Sequence, residues 1–325
     1  MTLVVARKRP DSATIVCDTK LTPPNDGRWT LADQANKIVC LESGWSIAYA
    51  GHVDYANDAV KRLLSSNPSA FKDIRDPLLA IHKEARGNNC DIDFIILAKP
   101  PSLHIHKICD GKCVPCASAA WIGDANAFSI FQEIFHLPDG AGHPLLRPRN
   151  DAMAGLDLEE SNLRQPGDDE RPEQLKNKMM KAIRAVIEDN NTPSVGGFSI
   201  CLFIDKHGRS FWPRISVNLN SQSASTPGRD LIYGWAETGD FNYSVMIGKN
   251  PEDNFVAFYF RLTQRALVFR CWDDELPYGK FFEVGPPDEC HDALEKMFAL
   301  PIWSLVMERG ASGAYELRDR GAPPL

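Results

Sequence analysis

The chain opens with two short apolar runs, residues 3–9 (LVVARKR) and 13–18 (ATIVCD), separated by Pro10, Asp11 and Ser12. Turn formers between two β-prone runs predict an antiparallel hairpin. A polar stretch containing Pro and Gly follows over 22–34, and two further strands are predicted over 37–41 and 45–49, joined at Glu42, Ser43 and Gly44. From Val53 the period changes. Val53, Ala56, Val60, Leu63 and Leu64 recur at helical spacing and predict a helix over 53–65, and Leu78, Leu79 and Ile81 predict a second over 77–86. Strands return over 92–97, 103–109 and 113–121, the last two closing over Asp110 and Gly111, residues that accept the left-handed backbone of a tight hairpin turn.

The second half repeats this alternation. A helix is predicted over 125–135, then a long loop over 138–172, rich in Pro, Gly and Asp. Leu175, Met179, Ile183 and Val186 mark the apolar side of a helix over 173–188. Beyond Gly196 and Gly197 come an apolar strand over 198–204, a turn over 205–208 and a returning strand over 211–217. Residues 221–229 have linker composition. Strands over 254–262 and 266–272 and a helix over 289–298 follow, which makes the last part a β-rich module. The fold class is therefore α+β, with a first domain over 1–220 and a carboxy-terminal extension over 221–325.

Composition narrows the classes. With 325 residues, 43% hydrophobic and 24% charged, the chain has the balance of a globular protein. Its net charge of −7 offers no basic footprint for nucleic acid. The longest apolar runs, 94–98 and 298–307, fall far short of the about 20 residues of a membrane span. The basic cluster Arg7, Lys8 and Arg9 precedes no apolar h-region, so no signal peptide is expected and the protein is expected to be cytoplasmic. Nine cysteines, an odd number spread over a long chain, read as free thiols in a reducing compartment.

One residue near the start carries possible chemistry. Initiator methionine before a small residue is commonly removed, which would leave Thr2 at the amino terminus. A free α-amine titrates near about 7.7–8.0, so it is a base at neutral pH within reach of its own threonine hydroxyl. Nucleophile and base then come from a single residue.

The surroundings of Thr2 sharpen this. The run from Thr2 to Thr22, the pair Lys37 and Ile38, and the segment IAYAGHVD over 47–54 resemble the proteasome β-subunit family of N-terminal nucleophile hydrolases. The resemblance covers about two thirds of the chain, from residue 2 to about 218, and includes Gly123, the helix from Glu173 and the pair Gly196 and Gly197. It implies a four-layer αββα sandwich and amide hydrolysis through an acyl-enzyme ester. Thr2 matches the nucleophile, Asp18 the acidic residue, Lys37 the lysine, and Gly51 the glycine whose N–H helps form the oxyanion hole. A cation beside the hydroxyl favours proton loss, the carboxylate keeps that cation charged, and a backbone donor stabilises the tetrahedral oxyanion. Lys20, Thr22, Trp45 and Tyr49 are candidates for the substrate wall.

The chain departs from the family pattern around the amine. Asp124 stands where many active members have Ser, and Thr192, Pro193, Ser194 and Val195 precede Gly196 where others carry Asp and Ser, so Asp124 and Ser194, or Asn191 in place of Ser194, are the candidates for positioning the amine. The resemblance further implies peptide or protein substrates, no cofactor and a ring-like homo-oligomer; an ATPase or adaptor has no signature in the sequence. A catalytically inactive, proteasome-like scaffold or binding subunit keeps the same fold and is the alternative.

A second cluster, His104, His106, Cys109, Cys113 and Cys116, contains enough donors for tetrahedral zinc and one Cys-x-x-Cys. His104 and His106 share a strand face, Cys109 and Cys113 flank the turn, and no second Cys-x-x-Cys completes a ribbon, so a hairpin end without metal is expected.

Overall fold

A computed structural model describes residues 2–21, 35–99, 101–138, 172–189, 191–192, 194–206, 208–212, 243–248, 250–260, 263–270, 280–303, 305–309 and 315–319. The expected stretch 22–34 with Thr22, nearly all of the loop over 138–172, the linker and the boundary at 220 lie outside the described residues. The strands in chain order start with β1 (Leu3–Lys8), β2 (Ala13–Asp18), β3 (Ile38–Cys40) and β4 (Ser46–Gly51), followed by helices α1 (Val53–Ser66) and α2 (Phe71–Gly87). Next come β5 (Ile92–Leu97), β6 (Ile105–Cys109), β7 (Lys112–Cys116), β8 (Ala119–Gly123), α3 (Ala125–Phe135), α4 (Pro172–Glu188), β9 (Ser199–Asp205) and β10 (Gly208–Trp212). The carboxy-terminal part holds β11 (Tyr243–Gly248), β12 (Phe255–Phe260), β13 (Arg265–Arg270), β14 (Lys280–Glu283), α5 (Pro287–Phe298), β15 (Ile302–Trp303), β16 (Leu305–Arg309) and β17 (Tyr315–Asp319).

The fold is mixed, α+β, and the described strand pairings are antiparallel. Three five-stranded sheets run β10-β9-β2-β1-β8, β3-β4-β5-β6-β7 and β14-β13-β12-β11-β15, with β16 and β17 as a separate pair. Strand alternation decides what each face meets. In the first sheet Val4, Ala6, Ile15 and Cys17 join Ile38, Cys40, Ala48, Ala50, Ile95 and Leu97 of the second in one core. Leu3, Val5 and Val16 face the other way, onto Phe131 and Ile134 of α3 and Met179 and Ile183 of α4. The second sheet turns Val39, Ile47, Tyr49, Phe94 and Ile96 outward onto Val60 and Leu63 of α1 and Ile74, Leu78 and Ile81 of α2.

Three differences from the sequence reading have physical causes. Helix α2 begins at Phe71, before Pro77, because Ile74 extends its buried stripe of Leu78, Ile81, His82 and Ala85 by a turn. The single strand expected over 113–121 is two strands: β7 edges the second sheet and β8 edges the first, with the chain crossing at Ala117 and Ser118. Pro115, which cannot donate to a ladder, sits on that edge strand. The carboxy-terminal sheet is no separate module, because Ile247, Val256, Phe258, Phe260, Leu267 and Phe269 belong to the same core as the first two sheets. Its other face, with Phe255, Ala257 and Tyr259, is covered by Cys290 and Leu294 of α5. Among the described residues no helix is long and apolar enough to cross a membrane.

Candidate active site

Three side chains at the ends of three strands converge: Thr2 just before β1, Asp18 closing β2 and Lys37 just before β3. Thr2, Asp18 and Lys37 are 2%, 0% and 3% exposed, so the charges interact without solvent screening. The Thr2 hydroxyl donates to Asp18 Oδ1 and accepts from Lys37 Nζ, both at close range. Lys37 Nζ also donates to Asp18 Oδ1 at 3.1 Å and to the Lys20 carbonyl at 2.7 Å. Those three acceptors use all three protons of an ammonium, which a buried lysine needs to remain charged. Asp18 gains two backbone donors, Leu3 N–H on Oδ1 at 3.0 Å and Gly196 N–H on Oδ2 at 3.2 Å. Burial of the pair is thus matched by hydrogen bonds to both partners.

The sequence explains why these groups meet. The β1–β2 hairpin sets Val4 opposite Cys17, which brings the beginning of β1 beside the end of β2. Lys37 sits immediately before β3 in the second sheet, across the core from them. Cys17, neighbour of Asp18, is an alternative nucleophile by type, but burial pushes its thiol far above the usual range and it packs in the inter-sheet core.

Asp124 and Ser194 also come together. Asp124 N–H donates to the Thr2 carbonyl at 2.7 Å, and Ser194 Oγ donates to Asp124 Oδ2. Oδ1 of Asp124 caps α3, accepting from Asn126 N–H at 2.8 Å and Ala127 N–H at 3.0 Å. Burial raises the Asp124 pKa, but the bonds from Ser194, Ala127 and Asn126 outweigh it and hold the carboxyl below its ordinary value. A depressed pKa adds stability that is present above the unfolded value near about 3.9 and is lost as pH falls through the lower folded value. Asp124→Ala should therefore cost about 0.5–2 kcal/mol in urea melts at pH 7, and the difference from the unsubstituted protein should shrink below pH 4.

Gly51 ends β4 at φ +125°, and a Cβ there would overlap the Asp91 carbonyl oxygen. The close crossing with the chain before β5 thus requires glycine at this point, and His52 N–H donates to the same carbonyl at 2.8 Å. Lys20 is buried, and its backbone serves the cluster: its N–H donates to Gly196 O at 3.1 Å and its carbonyl accepts from Lys37 Nζ at 2.7 Å.

Trp45 and Tyr49, expected in the substrate wall, are placed on the side of α1 and α2. Both alternate to the outer face of the second sheet. Trp45 donates its indole N–H to Ser69 O at 3.0 Å and lies 5.8 Å from the Phe71 ring. Tyr49 is buried against α1 and α2 and donates its hydroxyl to Asn36 O at 3.0 Å, which braces the segment leading to Lys37.

The thiol cluster does not converge. In the β6–β7 register Ile108 lies opposite Cys113 and Ile105 opposite Cys116. Strand alternation then sets Cys113 with Ile108 on the helix-facing side and Cys116 with Cys109 on the other. No group of three His, Cys, Asp or Glu among the described residues can hold a metal ion, and Cys109, Cys113 and Cys116 are free thiols. His104 lies 6.4 Å from His106, whose ring packs 4.1 Å from Phe71, and burial holds the His106 pKa below its ordinary value.

Sequence reading missed two structural residues. His82 is buried on α2, donates through Nδ1 to Ile92 O and accepts Gly111 N–H on Nε2 at 2.8 Å, tying the helix to the Asp110–Gly111 turn. Asn254, at φ +48° and fully buried, bonds both backbone groups of Cys40. Its position just before an apolar run, in a residue type that tolerates the left-handed region, was the available signal. No protein-family model matches the chain, and comparison with curated proteins gives no match.

Proposed function

We propose that the chain is an N-terminal threonine hydrolase of the proteasome β-subunit type, cleaving amide bonds of peptide or protein substrates. One observation carries the reading: a threonine at position 2 whose buried hydroxyl touches both a carboxylate and an ammonium. The succession of α3 and α4, two sheets, then α1 and α2 supports reading the first domain as a four-layer αββα N-terminal nucleophile sandwich.

In this reading removal of Met1 frees the α-amine of Thr2. The amine accepts the hydroxyl proton as Oγ1 bonds to the substrate carbonyl carbon, and Lys37 stabilises the negative charge developing on Oγ1. Collapse of the tetrahedral intermediate breaks the C–N bond, the amine passes its proton to the leaving nitrogen, and an ester on Thr2 remains. Water then attacks the ester and restores the hydroxyl. The N–H of Gly51 is assigned to the oxyanion, and Asp124 with Ser194 to the surroundings of the amine. The working form is assigned as a ring-like homo-oligomer in the cytoplasm.

Intact mass spectrometry before and after treatment with a β-lactone probe tests this. The expected masses are a chain lacking Met1 and then one adduct per chain, absent in Thr2→Ala. A purified chain that retains Met1 has no free threonine amine and would overturn the assignment. A processed, folded chain that takes no adduct would instead identify the inactive scaffold.

A further inference from the structure

The Thr2 cluster joins groups from two sheets. Asp18 ends β2 of the first and Lys37 leads into β3 of the second, and the ladders of neither sheet cross between them. Backbone pairing inside the sheets therefore leaves their separation open. The carboxy-terminal part reaches each of them through one contact: Phe258 of β12 through Phe198, and Asn254, just before β12, through Cys40 of β3.

On the Asp18 side the contact is aromatic. Phe198 lies face to face with Phe258 of β12, ring centroids 3.9 Å apart and planes 18° from parallel, and Phe269 of β13 meets Phe258 edge-on at 5.8 Å. Phe198 and Phe258 are both buried. The backbone beside Phe198 holds the end of β2 at three points: Phe198 N–H donates to Thr19 Oγ1 at 2.7 Å, Gly196 N–H to Asp18 Oδ2 at 3.2 Å, and Gly196 O accepts from Lys20 N–H at 3.1 Å. Fixing the Phe198 ring fixes the donor that orients the carboxylate.

On the Lys37 side the contact is a side-chain amide. Strand β3 is the edge of its sheet, and Asn254 occupies the open side, accepting Cys40 N–H at 2.9 Å and donating to Cys40 O at 3.2 Å. That is the pair of groups a neighbouring strand would supply, so β3 is held against sliding. Arg209, on β10 of the first sheet, reaches both other parts, pairing with Glu252 and donating to Trp45 O at 2.9 Å.

We propose that the carboxy-terminal sheet is a working part of the site, with Phe258 and Asn254 as positioning residues that set the distance between Asp18 and Lys37. The inference rests on the hydrolase reading above. Phe258→Leu keeps an apolar side chain of similar reach without the ring face, and Asn254→Gly keeps the left-handed backbone without the amide. In each variant the saturating rate of β-lactone acylation should fall about 10-fold or more, since a small displacement of reacting groups is costly, with the half-saturating concentration and Met1 removal unchanged. Amide hydrogen exchange at Gly196 and Phe198 should rise about 10-fold in Phe258→Leu while α1 and α2 keep their protection.

A purely structural role would lower the melting temperature and leave the acylation rate alone. Folded variants that both acylate at the unsubstituted rate therefore overturn the proposal. Should Phe258→Leu not fold, Phe198→Leu, which removes the other ring of the same stack, takes its place with the same expected results. If the unsubstituted chain takes no adduct, the hydrolase reading fails and the catalytic half of the proposal fails with it. Unchanged exchange at Gly196 and Phe198 in a folded variant overturns the positioning half by itself.

Discussion

Lys37→Met should suppress acylation of Thr2 by about 100- to 10,000-fold, the range that a positioned proton-handling group contributes, and should destabilise the fold as well. Lys37 supplies the cation opposite Asp18, which is fully buried. Without it Asp18 keeps the Thr2 hydroxyl and the Leu3 and Gly196 amides as donors but no compensating charge. Breaking one side of a buried ion pair costs about 3–5 kcal/mol, a large part of the stability of an ordinary domain. Urea denaturation checks the second effect, and the β-lactone adduct followed by mass the first.

The double variant Asp18→Asn with Lys37→Met separates the two effects. Removing both charges leaves no unpaired ion, so stability should recover by more than half of the single-variant loss, while acylation stays at the background. Recovery of acylation in the double variant would show that the pair serves folding alone. Loss of stability in the single variant without loss of acylation would lead to the same conclusion.

What the sequence reveals about this site follows from how local each contact is. Thr2 and Asp18 are joined by one hairpin, with the turn at Pro10, Asp11 and Ser12, so their proximity follows from strand alternation over sixteen positions. Lys37 lies one sheet away, and its place at the cluster was legible only through resemblance. The helices were legible because their apolar stripes are long, and the early start of α2 was missed because Pro77 suggested a first turn. Trp45 and Tyr49 show the limit of reading by proximity. Both precede Gly51 within six positions in sequence, but strand parity turns both toward α1 and α2. The role of Asn254 depends on a contact across 214 positions, which no local pattern encodes. Strands β11 and β14 escaped for a related reason: each is a short run whose apolar face has meaning only against partners in the third sheet.

Gly123→Ala should damage both the fold and the Thr2 cluster. Gly123 closes β8 at φ +103°, a conformation that costs a side-chain-bearing residue about 1–3 kcal/mol. The added Cβ would also overlap the Thr2 carbonyl oxygen, which is backbone and cannot rotate away. That carbonyl is the acceptor of Asp124 N–H at 2.7 Å, and Leu3, on the same peptide, donates its N–H to Asp18. Relieving the overlap means moving the Thr2–Leu3 peptide off both partners, and a displacement of about 1 Å at a reacting group can cost about 100-fold in rate. Gly111→Ala provides the control. Gly111 also has positive φ, +72°, but open space where its Cβ would stand, so it carries the backbone strain without the overlap. The expected result is a stability loss in Gly123→Ala exceeding that in Gly111→Ala, with acylation reduced about 100-fold in the first and unchanged in the second. Equal stability losses and equal acylation rates would mean that β1 yields to the methyl without displacing Thr2, and that the start of the strand is not rigidly held.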